Sequence, residues 1–155
     1  MHKVNVIVKQ HIDFDIHNSI NLSTLNTILK NVAPLYPNFN SWLNFTFRRN
    51  ISQGERSVLL ANDGSNILGI SLLKHTDCEN KISTFFIPEQ YRAMNVGNDL
   101  MSKSLEILNS NDSIITVSDE RHQDLKPLLQ SHKFKLSHSQ DSLYRNGVAE
   151  HIYVL

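Results

Sequence analysis

Residues 82–108 read ISTFFIPEQYRAMNVGNDLMSKSLEIL, and this stretch decides the fold. Its first part, Ile82–Ile87, is β-branched and aromatic, which is typical of a buried strand. Pro88 ends that strand because proline cannot donate to a sheet ladder. A polar turn, Arg92–Gly97, follows. The next apolar residues recur at helical spacing and predict an amphipathic helix that contains Val96, Leu100, Met101, Leu105 and Leu108.

This order of strand, turn and helix favours an anion-binding site at the turn. The first amides of a helix have no intrahelical partners, and the helix dipole places partial positive charge beside them. A small residue such as Gly97 lets a phosphate approach those amides closely. Many strand-turn-helix units bind nothing, so a purely structural turn remains the alternative interpretation.

The six residues Arg92-Ala93-Met94-Asn95-Val96-Gly97 resemble the Arg/Gln-x-x-Gly-x-Gly/Ala signature of the GNAT acetyltransferase superfamily. In that family the turn cradles the pyrophosphate of acetyl-coenzyme A (acetyl-CoA), the acyl donor. Tyr91 and the strand Lys81–Thr84 also resemble family members. Asn95 departs from the pattern, because the family usually has glycine there. Asparagine tolerates left-handed backbone angles well, so the turn geometry can survive, although the side chain would crowd the pyrophosphate.

The resemblance implies a donor site with two parts. The pyrophosphate would lie on the turn, and the pantetheine arm would pair with the backbone of the preceding strand. The residues implied for pantetheine are Phe85, Phe86 and Ile87; those implied for the pyrophosphate are Arg92, Ala93, Met94, Asn95, Val96, Gly97 and Asn98. Stretches that resemble a bacterial branch of the superfamily are Ile115–Ser118, Leu128-Leu129 and Leu143–Gly147.

Length and composition suggest a single domain, residues 1–155, with a core of its own. Fifteen basic and fifteen acidic residues give a formal net charge of zero, so no global field attracts nucleic acid or an anionic membrane. The single Cys78 excludes an internal disulfide. No apolar run approaches the ~20 residues that span a bilayer, and no signal-peptide pattern is evident. We therefore expect a cytoplasmic protein.

The remaining patterns predict about seven strands and four helices. Val4–Val8 suggests an opening strand, followed by a polar loop at residues 11–15. Two helices come next, with predicted N-caps at Ser23 and at Asn40 or Ser41. The later predicted elements are strands at Ser57–Ala61, Ile67–Leu73 and Ile82–Ile87, the helix from Val96, a strand at Ile114–Val117, a helix at Gln123–Ser131 and strands at Phe134–Ser139 and Val148–Leu155. This is the element order of the GNAT fold, an α/β (α+β) fold whose single mixed sheet splays after its fourth strand and admits the cofactor.

Acetyl transfer to an amine needs a base that takes a proton and an acid that protonates the leaving thiolate. Glu120 follows a predicted strand at the open edge of the sheet and could act as the base through water; alternatively, it and Asp119 favour the start of the next helix. Leu129 stands where the family often has a tyrosine acid. Tyr144 is the nearest substitute, with a core or hairpin tyrosine as the alternative. His122 stands where an asparagine that contacts the cofactor is common, and the alternative is a surface histidine.

Three functions fit these patterns. The first is an N-acetyltransferase that moves acetyl from acetyl-CoA to a small-molecule or peptide primary amine by direct attack in a ternary complex, with Asp13 and Asp15 as candidates to attract a cationic amine. The second is a catalytically degenerate GNAT-fold binding or regulatory protein, which Asn95, Leu129 and Lys133 (where the family has glycine) favour. The third is an α/β domain that binds no coenzyme A.

Two further expectations concern metals and partners. The eight histidines form no His-x-x-x-His pair and the one cysteine allows no thiolate cluster, so the sequence predicts no metal site. The last strand often mediates dimers in the GNAT superfamily, so the resemblance allows a homodimer.

Overall fold

The structure, a computed structural model, describes residues 11–17, 22–51 and 53–155. The strands in these ranges form a seven-stranded sheet in the spatial order β1-β2-β3-β4-β5-β7-β6. β4 and β5 are parallel and the other neighbouring strands are antiparallel, so the predicted mixed sheet is confirmed. The strands are β1 (Asp13–His17), β2 (Arg56–Asn62), β3 (Ile67–His75), β4 (Asn80–Phe86), β5 (Ile114–Ser118), β6 (Lys135–Asp141) and β7 (Ala149–Val154).

Helices cover both faces of this sheet. Their bounds are α1 (Leu22–Ile28), α2 (Phe39–Ser41), a π-helical segment (Trp42–Phe47), α3 (Arg48–Ile51), α4 (Val96–Leu108) and α5 (Asp119–Ser131). α2, the π-helical segment and α3 form one continuous rod, which corresponds to the second predicted helix. Short 3-10 turns precede α2 and α4. No helix within the described ranges is long and apolar enough to cross a membrane.

Alternation along the central strands creates two cores, one on each face. In β2, Val58 and Leu60 pack with α1 and the rod, whereas Leu59 and Ala61 pack with α4 and α5. The predicted apolar stripe of α4 is confirmed, because its buried members are Val96, Leu100, Met101 and Leu108, with Leu105 packed at the margin.

β4 and β5 separate soon after they meet. Their registered pairs are Lys81 with Ile114 and Ile82 with Ile115. β5 stays paired with β7 along its whole length, so β4 is the strand that diverges. A register irregularity in the β3–β4 pairing at Leu72 lies at the same level, and such irregularities redirect a strand. The resulting gap lies beside Phe85–Ile87, which agrees with the expected splay.

The start of the chain differs from the prediction. Val4–Val8 lies outside the described residues. The predicted loop at residues 11–15 is wrong, because Asp13–His17 is strand β1 and pairs antiparallel with β2. This polar segment becomes a strand because β2 offers it a pairing edge and Phe14 packs on the core. Asp13 and Asp15 therefore lie exposed on an edge strand and not in a loop.

Helix starts also differ by a few residues. α1 begins at Leu22, so Ser23 lies inside the helix. Asn38, with a φ of 58°, precedes α2 in place of Asn40 or Ser41. α5 begins at Asp119, before the predicted Gln123, because it follows β5 without a loop. Its first turn carries two acidic residues, which suit the helix dipole.

Candidate active site

The turn before α4 has the geometry that an anion site requires. Asn95 joins a 3-10 turn, Glu89–Met94, to the helix and has a φ of 60° and a ψ of 18°, in the left-handed region. Asparagine adopts this conformation more readily than most residues with a side chain. The predicted survival of the turn is therefore confirmed. The amides of Val96, Gly97 and Asn98 lie in the first turn of α4, where helical amides lack intrahelical partners.

A cleft of about 430 Å³ opens between this turn, β4 and α5. The predicted cofactor residues that line it are Phe85, Ile87, Arg92, Asn95, Gly97 and Asn98. A Cβ on Gly97 would meet Leu128 at 3.6 Å and Ile87 at 3.8 Å, which are ordinary contacts. Packing therefore does not require glycine at this position. Because Gly97 has no side chain, its backbone is open to the cleft that it lines.

Three other predicted cofactor residues, Phe86, Met94 and Val96, lie outside the lining of this cleft. Phe86 packs in the core on the opposite face, so only its backbone can serve a ligand here. Val96 is fully buried and Met94 packs against the α4–α5 core. Ala93 lies in the 3-10 turn. Among the nine predicted cofactor residues whose side chains the structure describes, six therefore line one cavity.

Arg92 lies at the turn and, with Arg121, is one of the two arginines among the described residues that line the cleft. Its Nε donates to the carbonyl oxygen of Ile87 at 3.1 Å, which holds the side chain against the end of β4. Its guanidinium lies 4.0 Å from a carboxylate oxygen of Asp124 on α5, and both side chains are about half exposed or more. Exposed pairs of this kind are weak, so an incoming phosphate can compete with Asp124 for the guanidinium.

A second pocket, of about 320 Å³, lies on the other face of the sheet. Its aromatic wall comes from Tyr36, Phe39 and Trp42 in the α1–α2 connection and the rod. Tyr144 also lines the pocket, and its ring forms a T-shaped contact with that of Tyr36, the two centroids being 5.5 Å apart. Lys81 Nζ donates to the Tyr144 hydroxyl at 3.4 Å. The predicted acid Tyr144 therefore belongs to this pocket and not to the cleft beside α4.

The gap between β4 and β5 lies between the two cavities and holds a third cavity of about 10 Å³. This narrow cavity shares Phe85, Arg121 and Leu125 with the cleft, and it shares Tyr36 and Thr116 with the second pocket. Molecules bound on opposite faces of the sheet would therefore approach each other there.

Arg121 of α5 is the charged group of the gap. It donates to the carbonyl oxygen of Phe85, and its guanidinium lies 6.0 Å from the centroid of the Phe86 ring. Burial lowers the pKa of Arg121 from its usual value, but arginine remains charged at neutral pH. Sequence reasoning missed this residue, because an arginine three positions into a polar helix carries no distinctive pattern.

Comparison with known families identifies the chain. The model of the acetyltransferase (GNAT) domain matches residues 36–153. The chain belongs to the GNAT acetyltransferase family. No curated protein sequence matches it significantly.

Solved structures share the GNAT fold over nearly the whole chain. NAA60 of Arabidopsis thaliana in complex with acetyl-CoA is 16% identical and has a TM-score of 0.73, with 94% of this chain and 98% of that chain covered. A GNAT family acetyltransferase of Elizabethkingia anophelis with acetyl-CoA bound is 14% identical and has a TM-score of 0.70, with 95% and 99% covered. Ard1 of Thermoplasma volcanium is 14% identical, with a TM-score of 0.70 and 92% and 96% covered.

The predicted base of this GNAT chain is held in an ion pair. Glu120 accepts two hydrogen bonds of 2.6 Å from the Arg145 guanidinium. These bonds lower the pKa of Glu120 to about 2. A carboxylate with so low a pKa is a weak proton acceptor, so the geometry disfavours Glu120 as the base.

His122 lies in a cluster between α5 and β7. Its Nε2 is 2.6 Å from the Tyr153 hydroxyl, and its ring stacks on His151 at 3.8 Å between centroids. His151 in turn contacts Asp119 Oδ1 at 2.8 Å. His122 lines neither the cleft, the second pocket nor the gap as described. The structure therefore does not bring the predicted catalytic residues together in one cavity.

A carboxylate that sequence reasoning missed, Glu150, interacts electrostatically with Tyr36 and Arg121, two residues that line the gap cavity. Glu150 of β7 is only 1% exposed and pairs in register with Ser118 at the end of β5. Burial raises the pKa of Glu150 to about 7. Within the described chain its Oε2 has no hydrogen-bond partner. The one sequence signal was a glutamate in register with the apolar positions Val148, Ile152 and Val154.

Tyr36 lines both the gap cavity and the second pocket, as do the smaller hydroxyl residues Ser83, Thr84 and Thr116. Burial, followed by the charge of Glu150, raises the pKa of Tyr36 to about 12. Its hydroxyl therefore stays protonated at neutral pH. The sequence marks Tyr36 only as a residue between Pro34 and Pro37, which predicts a connection and no chemistry.

Two further positions, Lys133 and Leu129, depart from the family pattern in sequence. Lys133, which replaces a family glycine, has a φ of 69°, so this position needs the left-handed conformation. The amide of Phe134 donates to the Leu129 carbonyl at 3.0 Å and closes the end of α5. Leu129 itself is fully buried in the core. Its side chain packs in the core at the position where the family often has a tyrosine acid.

Proposed function

We propose that the chain is an N-acetyltransferase that transfers an acetyl group from acetyl-CoA to a primary amine by direct attack in a ternary complex. The observation that carries this proposal is that two cavities on opposite faces of the sheet both border the β4–β5 gap. With the donor in one cavity and the acceptor in the other, the amine reaches the thioester without a covalent enzyme intermediate. Family membership supports the same reaction class.

The cleft beside α4 fits the donor. The amides of Val96, Gly97 and Asn98 would hold the pyrophosphate together with Arg92, since a helix N-terminus and a guanidinium both favour phosphate oxygens. The backbone of Phe85–Ile87 lies along the gap and would pair with the pantetheine arm. The guanidinium of Arg121 already bonds the Phe85 carbonyl, so it would share that carbonyl or release it when the arm binds.

The reaction forms a C–N bond and breaks the thioester C–S bond. The amine nitrogen must lose a proton, and the leaving sulfur must gain one. Glu150 is our candidate for the proton acceptor in place of Glu120, because a pKa near 7 lets it take a proton at neutral pH. The proton would travel between the second pocket and Glu150 through Tyr36 or water.

Tyr36 is the preferred proton or hydrogen-bond donor to the leaving sulfur, because it faces the gap. Tyr144 remains the second candidate, since its hydroxyl lies in the acceptor pocket beside Lys81. A backbone amide would stabilise the tetrahedral intermediate. The roles of Tyr36 and Tyr144 are separable by single substitutions to phenylalanine.

A binding protein that has lost turnover is the second candidate function. The observation in its favour is Leu129, which is buried at the position of the family acid. Such a protein would bind acetyl-CoA and desacetyl coenzyme A without releasing free thiol in the presence of any amine.

Calorimetric titration with acetyl-CoA tests the donor site, with desacetyl coenzyme A alongside. We expect micromolar binding, about −8 kcal/mol. Gly97→Trp should abolish binding because the indole would fill the cleft floor, whereas Ser102→Trp, on the exposed side of the same helix, should bind normally. Absence of binding to the unmodified protein would refute the proposal. Binding without thiol release across an amine panel would favour the second function.

A further inference from the structure

We infer that the acceptor pocket selects an amine that carries an anionic group, a carboxylate or a phosphate, on an apolar body. This inference rests on the proposed function and names the substrate class of the same site. It comes from a row of cations on the sheet floor of the second pocket, together with the aromatic wall above it.

Three cations lie side by side across neighbouring strands. Arg56 of β2 pairs in register with Lys74 of β3, and Lys74 pairs with Lys81 of β4. Directly opposed residues project to the same face of a sheet, and like charges in such pairs are destabilising. All three line the second pocket. An anion bound beside these three cations would reduce their mutual repulsion.

The protein supplies only part of that negative charge. Glu79 is the carboxylate among the described residues that line the pocket, and its oxygen lies 2.9 Å from Lys74 Nζ. The amine of Lys81 has the Tyr144 hydroxyl as its hydrogen-bond partner, at 3.4 Å. Arg56 takes part in none of the ion pairs found in the described chain. Arg56 and Lys81 therefore face the pocket without a carboxylate in direct contact, and Glu79 acts on both only at longer range.

Arg56 is the stronger of these two anchors because it is buried. Its residue is 7% exposed, and its guanidinium lies 5.8 Å from the ring centroids of both Trp42 and Phe47. One terminal nitrogen donates to Ser83 Oγ at 3.2 Å, whereas Nε has no partner among the described residues. Glu79 and Glu55 act on Arg56 only at longer range, without a direct ion pair, and a buried charge that is incompletely paired is costly. A ligand carboxylate or phosphate would satisfy it, since guanidinium groups bind both with paired hydrogen bonds.

The anchor also lies close to the place of transfer. Ser83, which accepts the hydrogen bond from Arg56, lines the gap cavity as well as the pocket. An acceptor held by its anion at Arg56 would therefore place its amine toward Tyr36 and the gap. The rings of Phe39 and Trp42 would cover its apolar part. A volume of about 320 Å³ is enough for a molecule of amino-acid size.

The test compares three amines that share an aromatic body: phenylalanine, phenylalaninamide and 2-phenylethylamine. Thiol release from acetyl-CoA is measured, and the N-acetyl product is checked by mass. We expect kcat/KM for phenylalanine to exceed that for each of the two analogues that lack the carboxylate at least about tenfold. Phosphoserine against serine then separates phosphate from carboxylate as the preferred anion.

Substitutions locate the preference in the pocket. Arg56→Gln should abolish the higher kcat/KM of phenylalanine, mainly by raising its KM, and Arg56→Lys should keep part of the difference. Lys103→Gln, on the outer side of α4 where Lys103 lies 3.6 Å from Glu106, is the control and should change nothing. Should Arg56→Gln fail to fold, Lys81→Gln takes its place.

Each outcome decides between the two proposals. Equal kcat/KM for the three amines, with Arg56→Gln unchanged, overturns the inference and leaves the acetyltransferase assignment intact. Failure of calorimetric acetyl-CoA binding overturns both. If acetyl-CoA binds but no amine reacts, thermal unfolding with millimolar phenylalanine decides: a rise in Tm that Arg56→Gln abolishes supports the inference, and no rise refutes it.

Discussion

Glu120 and Arg145 are joined by two hydrogen bonds of 2.6 Å, which tie the first turn of α5 to the segment before β7. The Arg145 guanidinium also lowers the pKa of Glu150, but burial has the larger effect and raises it. Arg145 therefore keeps the exposed Glu120 ionised, whereas the pKa of the buried Glu150 stays near 7. The two glutamates therefore have different chemistry despite their shared neighbour.

Glu150→Gln should reduce turnover by about 100-fold or more, because general-base catalysis contributes on that scale. Glu120→Gln should keep turnover within a few-fold, because Glu120 is already committed to Arg145. In the unmodified protein kcat/KM should rise with pH through about 7, as Glu150 ionises. Steady-state rates from pH 5 to 9 provide the measurement. If Glu120→Gln reduced turnover more than Glu150→Gln, Glu120 would be the general base.

Glu150→Gln should also make the protein more stable at pH 8. Below about pH 4.5 the Glu150 carboxyl is protonated in both the folded and the unfolded protein. Between about pH 4.5 and pH 7 it ionises in the unfolded chain but stays protonated in the folded one, so the free energy of unfolding falls as the pH rises. Above pH 7 the full penalty applies, and its removal should add about 3 kcal/mol to the free energy of unfolding. Urea unfolding at pH 8 and pH 4 measures the difference. An equal gain at both pH values would mean that ionisation is not its cause.

Tyr36→Phe should lower kcat by about 10-fold or more, since Tyr36 faces the gap and its hydroxyl is the preferred donor to sulfur. Tyr144→Phe should act mainly on KM for the amine, because Tyr144 lies in the acceptor pocket with Lys81. Initial rates at varied amine concentration separate the two effects. A loss of kcat confined to Tyr144→Phe would make Tyr144 the donor.

Lys133→Gly should stabilise the fold by about 0.5 kcal/mol, because glycine removes the strain of a left-handed residue but costs chain entropy. Lys135→Gly is the matched control. Lys135 is an exposed lysine in β6, where glycine should destabilise by a similar amount. Urea midpoints of the two variants should therefore shift in opposite directions. Shifts of the same sign would refute the interpretation of Lys133.

Local sequence predicts this fold best where an element carries its own pattern. The helix from Val96 and the turn at Asn95 both follow from residues next to one another, and the structure confirms both. Strand β1 was missed because Asp13–His17 is polar and becomes a strand only by pairing with β2, more than forty residues later. No pattern within the segment records that partner.

The candidate site follows the same rule. The donor turn is contiguous in sequence, so its residues are found by motif. Glu150, Tyr36 and Arg121 become neighbours only when β7, the α1–α2 connection and α5 pack around the end of β5, and Arg56 becomes an anchor only when Trp42 and Phe47 cover it. Burial changes the chemistry of each of these groups, and burial by distant elements cannot be read from the neighbouring letters.

The brief β4–β5 pairing has a consequence for how the molecule opens and folds. Two registered pairs join β1–β4 to β5–β7, so few backbone hydrogen bonds resist the separation of these two halves. Each half keeps its own antiparallel ladder, and α4 runs between them in the chain. We therefore expect native-state hydrogen exchange to resolve two cooperative units. A ligand that spans the gap would act as a non-covalent clamp and merge them into one.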